Sequence, residues 1–363
     1  MKKVFIAICC VVAFIGMVAY NVNHNKIDET KEVLVSAFLP LTGPLSSLGT
    51  AVKEGITLAV EAQNAKGGIG GKKIIFKPLD TRGDPKEAIT LFHGQVENQK
   101  PLMIFAVNTG VAVNLQKLTE PHKIPLIAAV SAGELLAPKN RFTVRTVFSP
   151  TDFAKAVSKH IAEKYAGKKI KFFYENVDYS LSNKKALSEV YQPDEWEIYD
   201  FDSQTLDYRT LLLKSKLNSE KDVVILSGLG PVAGRMIRQM REMGYTGDIL
   251  GDATLTMKGA IDIAGEAMNN TYALVYRQNM TKEHCQTADQ KYRAKWHIPM
   301  NLEVLTSFQI TLDMLSFLSQ KPQIKDLRGE LEGIRFDGCL GPVEIQDGQA
   351  VYSLHFMDMG GKR

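Results

Sequence analysis

Cysteine is nearly missing from the part of this chain that can fold. Four occur in 363 residues, and Cys9 and Cys10 stand inside an apolar N-terminal run, which leaves Cys285 and Cys339. Two cysteines can form one disulfide in an oxidising compartment or remain two buried thiols, and the sequence leaves both open. Their spacing matches no metal motif. The seven histidines, among them His93, His122, His160, His284, His297 and His355, form no ligand pattern, so neither a metal nor another cofactor is expected. An excess of one charge is lacking too: Lys plus Arg number 44 against 40 Asp plus Glu. Lys72, Lys73, Lys168, Lys169 and Lys171 are scattered, without arginine clusters or interleaved aromatics, so no nucleic-acid partner is expected.

A catalytic constellation is also missing. Ser131 and Ser227 are loop serines, and neither lies in G-x-S-x-G. Asp178, Asp207 and Asp252 stand isolated, with no base and orienting group in a recognisable pattern, so an enzyme is not expected. The glycines of GGIGG at 67–71 follow a helix and precede a strand, the reverse of a dinucleotide fingerprint, and read as a turn. SGLGPVAG at 227–234 does sit between strand and helix. It carries Pro231, however, and Ala253 and Thr254 stand near the place where the acidic partner belongs.

What is present begins with an export pattern. Lys2 and Lys3 precede the apolar run VFIAICCVVAFIGMVAY. The run is long for a cleaved signal and slightly short for a membrane span, and Met17 and Ala19 match a small-x-small cleavage site poorly. Residues 1–20 are therefore read as a signal peptide or an uncleaved anchor, and 21–32 as a polar tether. Residues from 30 onward are expected to fold outside the cytoplasm.

Short apolar runs then alternate with helical periodicity. Strands are expected at Val33–Leu39, Ile74–Leu79, Leu102–Val107, Ile124–Ala129, Lys169–Tyr174, Val223–Leu226 and Ile249–Gly251. Helices are expected at Ala51–Asn64, Ala112–Leu118, Asp152–Tyr165, Ala288–Trp296 and Val304–Leu318. Met236, Ile237, Met240 and Met243 form an apolar stripe that reads as core. This alternation predicts α/β architecture with parallel, doubly wound sheets, and the length favours two of them. SPTD at 149–152 looks like a crossing between the two sets. Asp347–Gly348, flanked by Val343, Ile345 and Val351, predicts a β-hairpin near the C-terminus.

Neutral hydroxyls collect where first-set strands end: Thr42, Ser46, Ser47, Thr109 and Ser131. Such a wall can bind a carboxylate without a full positive charge, helped by the free N–H groups that open each helix. Tyr179, Leu229 and Asp252 fall on loops of the second set.

Four stretches carry a family resemblance: PLTGPLSSLGTAVKEGITLAVEAQNAKGGIGGKKI, DTRGDPKEAI, RQMREMGYTGDILG and FDGCLGPVEIQDG. With them the chain resembles the branched-chain-amino-acid type of ABC-transporter substrate-binding proteins over about residues 33–355. The resemblance implies a two-lobed type I periplasmic binding fold, each lobe a doubly wound, mainly parallel sheet flanked by helices. It implies lobe 1 at 33–148 plus 279–338, and lobe 2 at 149–278 plus 339–359, with the third crossing near Gly338–Pro342. It implies hinge closure on a small ligand, an amino acid or related carboxylate or amide, for delivery to a membrane permease. A sensory role, with the closed form presented to a membrane receptor, is the alternative.

The site implied by the resemblance follows by position. Asn108 and Thr109 would hold a ligand carboxylate. Ala129 and Ser131 would meet the ammonium and the carboxylate. Ser46, Ser47 and Leu48 would cover the ligand, and Tyr179 would face it from the other lobe. Two positions depart from the family pattern. Leu229 replaces a tyrosine, and Ala253, beside Asp252, stands where a glutamate is expected to pair with an ammonium. If Asp252 substitutes, the resemblance implies an α-amino acid; if Asp252 points away, it implies a ligand without the ammonium, such as an aliphatic or aromatic carboxylate, an amide or another small metabolite.

Overall fold

The structure is a computed structural model. It describes residues 31–361 apart from 132, 134, 135, 137–139, 193, 195, 322 and 323. The expected signal or anchor at 1–20, and the tether up to residue 30, lie outside the described residues. Among the described residues no helix is long and apolar enough to cross a membrane.

The chain opens with β1 (Glu32–Leu39), whose last six residues are all buried. Such burial on both faces is why the strand reads as an unbroken apolar run. The helix expected from Ala51 starts earlier, with α1 (Ser46–Ala65) beginning at Ser46, so the hydroxyl-rich connection after β1 is short. Gly49, in the first turn and ahead of the expected helix start at Ala51, marks where this helix crosses the preceding chain. A Cβ there would stand 2.1 Å from the Pro40 carbonyl oxygen, so close approach rather than turning calls for glycine. The GGIGG turn leads to β2 (Lys73–Asp80), and then α2 (Pro85–Asn98), β3 (Met103–Val107), α3 (Thr109–Thr119), β4 (Leu126–Val130) and β5 (Thr143–Arg145).

The second set starts at α4 (Pro150–Lys164). Ser149 and Asp152 cap it reciprocally, the Ser149 hydroxyl accepting from the Asp152 N–H while the Asp152 carboxylate accepts from the Ser149 N–H. Then come β6 (Lys169–Glu175), α5 (Asp178–Ser188), β7 (Trp196–Phe201), α6 (Arg209–Ser215), β8 (Asp222–Ser227), α7 (Gly230–Glu242), β9 (Ile249–Gly251), a 3-10 turn (Ala253–Thr256), α8 (Lys258–Ala264) and β10 (Thr271–Tyr276). The remainder comprises α9 (Glu283–Trp296), α10 (Leu302–Gln320), α11 (Leu327–Leu331), β11 (Arg335–Gly338), β12 (Gly341–Gln346), β13 (Gln349–Tyr352) and β14 (Leu354–Asp358). The stripe of Met236, Ile237 and Met240 is fully buried on α7, whereas Met243 is 36% exposed at its end.

Two sheets result. One has eight strands in the order β11-β12-β13-β5-β4-β3-β1-β2, and the other six in the order β14-β10-β9-β8-β6-β7. Pairing is parallel from β13 through β2 in the first and from β10 through β7 in the second. The predicted α/β class with two mainly parallel sheets therefore holds.

The C-terminal hairpin forms where expected, with Asp347 and Gly348 both at positive φ as a two-residue turn requires. Its sheet is not the expected one. β13 pairs with β5 of the first sheet, and the Arg145 N–H donates to the Gly348 carbonyl at 2.9 Å. Only β14 reaches the second sheet, antiparallel to β10. Residues 339–352 thus stay with the first sheet, and the third crossing falls at Ser353 rather than near Gly338–Pro342. Alternating hydrophobicity identifies a hairpin but is silent on which sheet its edge completes.

The other crossings lie at 146–149 and 277–282. All three are held together. Arg277 N–H donates to the Ser353 carbonyl at 3.0 Å, and the Tyr352 hydroxyl donates to the Thr146 carbonyl at 2.5 Å. The rings of Phe148 and Tyr276 meet edge-on with centroids 5.5 Å apart, and Tyr276 meets Tyr352 at 4.4 Å. Cys285 and Cys339 form a disulfide, which resolves the alternative the sequence left open. It ties the start of α9 to the β11–β12 turn, where the Asn279 N–H also donates to the Cys339 carbonyl at 2.7 Å. Closing this loop stabilises the fold by about 4 kcal/mol in the chain-entropy account.

Candidate ligand-binding cleft

Strand ends from both sheets converge on one cavity of about 350 Å³. Asn108 follows β3, Ser131 follows β4, Tyr179 follows β6, Leu229 follows β8 and Ala253 follows β9. This is the crevice beyond the carboxyl ends of parallel strands, where such sheets place ligands. Helix α1 adds Leu48, and α10 adds Leu302, Glu303 and Thr306. The wall is mostly apolar, with Val147, Phe148, Met257 and Tyr276 among its residues.

Asn108 builds the polar end. Its φ of 81° is uncommon outside glycine, a local strain of the kind that collects at binding sites. In that conformation its side-chain oxygen accepts from the Gly110 N–H at 2.9 Å and caps α3. Thr109, next to it, is 5% exposed, and its hydroxyl has no partner among the described residues. Ser131 is buried, its hydroxyl 3.5 Å from the Ala106 carbonyl, a weak bond at best.

The opposite wall is differently made. Asp252 is completely buried and does not line the cavity. Its carboxylate accepts from the Thr254 N–H at 2.9 Å, from the Asn183 amide at 3.1 Å and from the Tyr179 hydroxyl. Burial pushes its pKa up, against the pull of those hydrogen bonds. The Tyr179 hydroxyl is raised well above its ordinary range by burial and by the Asp252 carboxylate. The Leu229 N–H donates to Glu175 at 2.7 Å, and the Thr254 hydroxyl donates to the Gly228 carbonyl at 2.7 Å.

The structure thus brings Leu48, Asn108, Thr109, Ser131, Tyr179, Leu229 and Ala253 together around one cavity. It leaves four sequence-predicted residues out of the lining. Ser46 and Ser47 fall in the first turn of α1, where Leu45 and Leu48 face the cavity instead. Ala129 packs into the core at 1% exposure. Asp252, the proposed partner of an ammonium, is turned inward and saturated by its neighbours. The Thr42 hydroxyl is likewise occupied, donating to Asp80 at 2.7 Å.

Sequence reasoning missed Glu303. It sits in the first turn of α10, 8% exposed, and lines the cavity. Burial pushes its carboxyl from 4.5 to about 7. The signal was available: an acid inside the apolar run LEVL, at the start of a helix expected two residues too late. Among the described residues one group has metal-ligand proximity, His284 with Cys285 and Cys339. The two sulfurs are bonded to each other and so are not thiolate ligands.

Comparison with known proteins agrees with this geometry. The family described as periplasmic binding protein matches residues 32–363. The Leu/Ile/Val/Thr-binding protein of Salmonella typhimurium is 24% identical over 338 residues, covering 90% of each chain. The branched-chain amino acid transporter substrate-binding protein of Streptococcus pneumoniae, solved with isoleucine, is similar at a TM-score of 0.80 and 22% identity, over 92% of this chain and 97% of that one. A solute-binding protein of R. palustris, solved with benzoate, reaches 0.74 at 18% identity, over 91% and 94%. The match extends over nearly the whole chain, so the protein belongs to the periplasmic binding protein family, extracytoplasmic carriers that hold a small ligand for a membrane permease and do not transform it.

Proposed function

We propose that the cleft binds a small α-amino acid with an apolar side chain. The observation that carries this reading is the composition of the cavity. Its wall is mostly apolar, yet the hydroxyls of Thr109 and Thr306 and one oxygen of Glu303 are buried there without partners among the described residues. Buried polar groups are ordinarily paired, so unmet ones in a cavity mark where a ligand's polar atoms belong. Thr109, Ser131 and the opening N–H groups of α3 take the ligand's carboxylate. Leu48, Phe148, Leu229 and Met257 surround its side chain. The names of the relatives, which bind leucine, isoleucine or valine, support the same class of ligand.

Binding closes the two halves. Residues 33–148 with 279–352 form one lobe, and 149–278 with 353–359 the other. A ligand that touches both walls stabilises the closed form by its differential affinity for that state. Mass spectrometry of small molecules released from the natively purified protein, followed by calorimetric titration, tests the reading. An amino acid is expected in the released fraction; a ligand without a carboxylate would overturn the assignment.

A further inference from the structure

We infer that Glu303 is the group that holds the positively charged nitrogen of the ligand. The inference rests on the amino-acid reading above and names the partner that reading lacks. An ammonium inside a mostly apolar cavity needs a charged or strongly accepting group. Asp252 is spent on Thr254, Asn183 and Tyr179, outside the lining. Among the described residues two acids line the cavity, and of these Asp178 is exposed to solvent and Glu303 is buried.

The hydrogen bonds around Glu303 leave it short of donors. Its Oε2 has no hydrogen-bond partner among the described residues. Its Oε1 lies 3.2 Å from the Thr256 hydroxyl, which also approaches the Ala253 carbonyl at 2.7 Å. A hydroxyl carries one proton, and the shorter contact takes it. An ionised Glu303 therefore meets no committed side-chain donor, and burial holds its carboxyl up to about 7 accordingly. A ligand ammonium supplies what is missing. The charge balance agrees: among the described residues no lysine, arginine or histidine lines the cavity, so a purely anionic ligand would meet Glu303 with no described cation to offset it. The Thr256 and Glu303 pair also bridges the two halves, since Thr256 lies beside β9 and Glu303 opens α10.

The test uses calorimetric titration of the full exported protein. The probes are the twenty L-amino acids and, for the tightest binder, the carboxylic acid that lacks only its amino group. Glu303→Gln keeps the shape and removes the charge. It is expected to weaken the amino acid at least tenfold while binding the desamino acid as well as, or better than, the unchanged protein does. Glu303→Asp is expected to recover part of the amino-acid affinity, which a packing defect would not. Amino-acid binding that is unaltered in Glu303→Gln, or an equal loss for both probes, overturns the inference and leaves the amino-acid reading standing. If the unchanged protein binds no amino acid, that reading falls and takes this inference with it.

Discussion

The two walls of the cleft use polar residues in opposite ways. On the β6–β9 side, Asp252, Asn183, Tyr179 and Thr254 satisfy one another. On the side of α3 and α10, Thr109, Thr306 and Glu303 keep unmet capacity. A saturated group contributes to folding, because removing it strands its partners. An unsaturated one contributes little to folding and is free to contribute to binding. The difference separates residues that shape the site from residues that take hold of its occupant.

Asp252→Ala is the hardest test of that division. It leaves the Thr254 N–H, the Tyr179 hydroxyl and one of the two Asn183 amide protons without an acceptor in a buried place, the Ser227 hydroxyl still accepting from Asn183, and is expected to lower unfolding stability by about 3–5 kcal/mol. Urea denaturation reads this directly. A loss under about 1 kcal/mol would mean that the network is not the framework described.

Glu303 sharpens the contrast through pH. Its carboxyl titrates at 4.5 when unperturbed and at about 7 in the ligand-free fold. Between those values the folded state keeps a proton that the unfolded state has lost. Stability therefore falls as pH rises through this window and stays lowered above it, by an amount on the order of 3 kcal/mol. Glu303→Gln should accordingly stabilise the ligand-free protein at pH 8 and leave it unchanged at pH 4. Asp313, similarly raised by burial, is present in both proteins and cancels. Equal urea midpoints at pH 8 would show that the carboxylate is already paired.

Thr109→Val is the smallest change in the fold and reverses the pattern of Asp252→Ala. Its hydroxyl has no partner among the described residues, so stability should move by less than about 0.5 kcal/mol. Affinity for a carboxylate-bearing ligand should fall by about 1–3 kcal/mol. A variant that loses stability but keeps affinity would place Thr109 on the wrong side of the comparison.

The same contrast explains what could be read in the sequence. Strands buried on both faces and capped amphipathic helices declare themselves locally, so β1, α4 and β9 were legible from residue pattern. The cap at Asn108 and the hydroxyl of Thr109 follow from being at a strand end. Other features depend on partners distant in the chain. Asp252 looks like an available acid until Asn183, 69 positions away, donates to it. Glu303 enters the cavity only because α10 packs beside α1. The sheet joined by the C-terminal hairpin is fixed by the edge at β5, two hundred residues earlier.

Phe148 and Tyr276 belong both to the crossings and to the cavity lining. Both tryptophans lie elsewhere: Trp196 stacks on Phe172 in the second sheet, and Trp296 stacks on Tyr292 at the end of α9. The optical reporter of occupancy is therefore the tyrosine and phenylalanine signal in near-ultraviolet circular dichroism. Tryptophan emission, the usual first assay for such a protein, should stay nearly silent when the cavity fills.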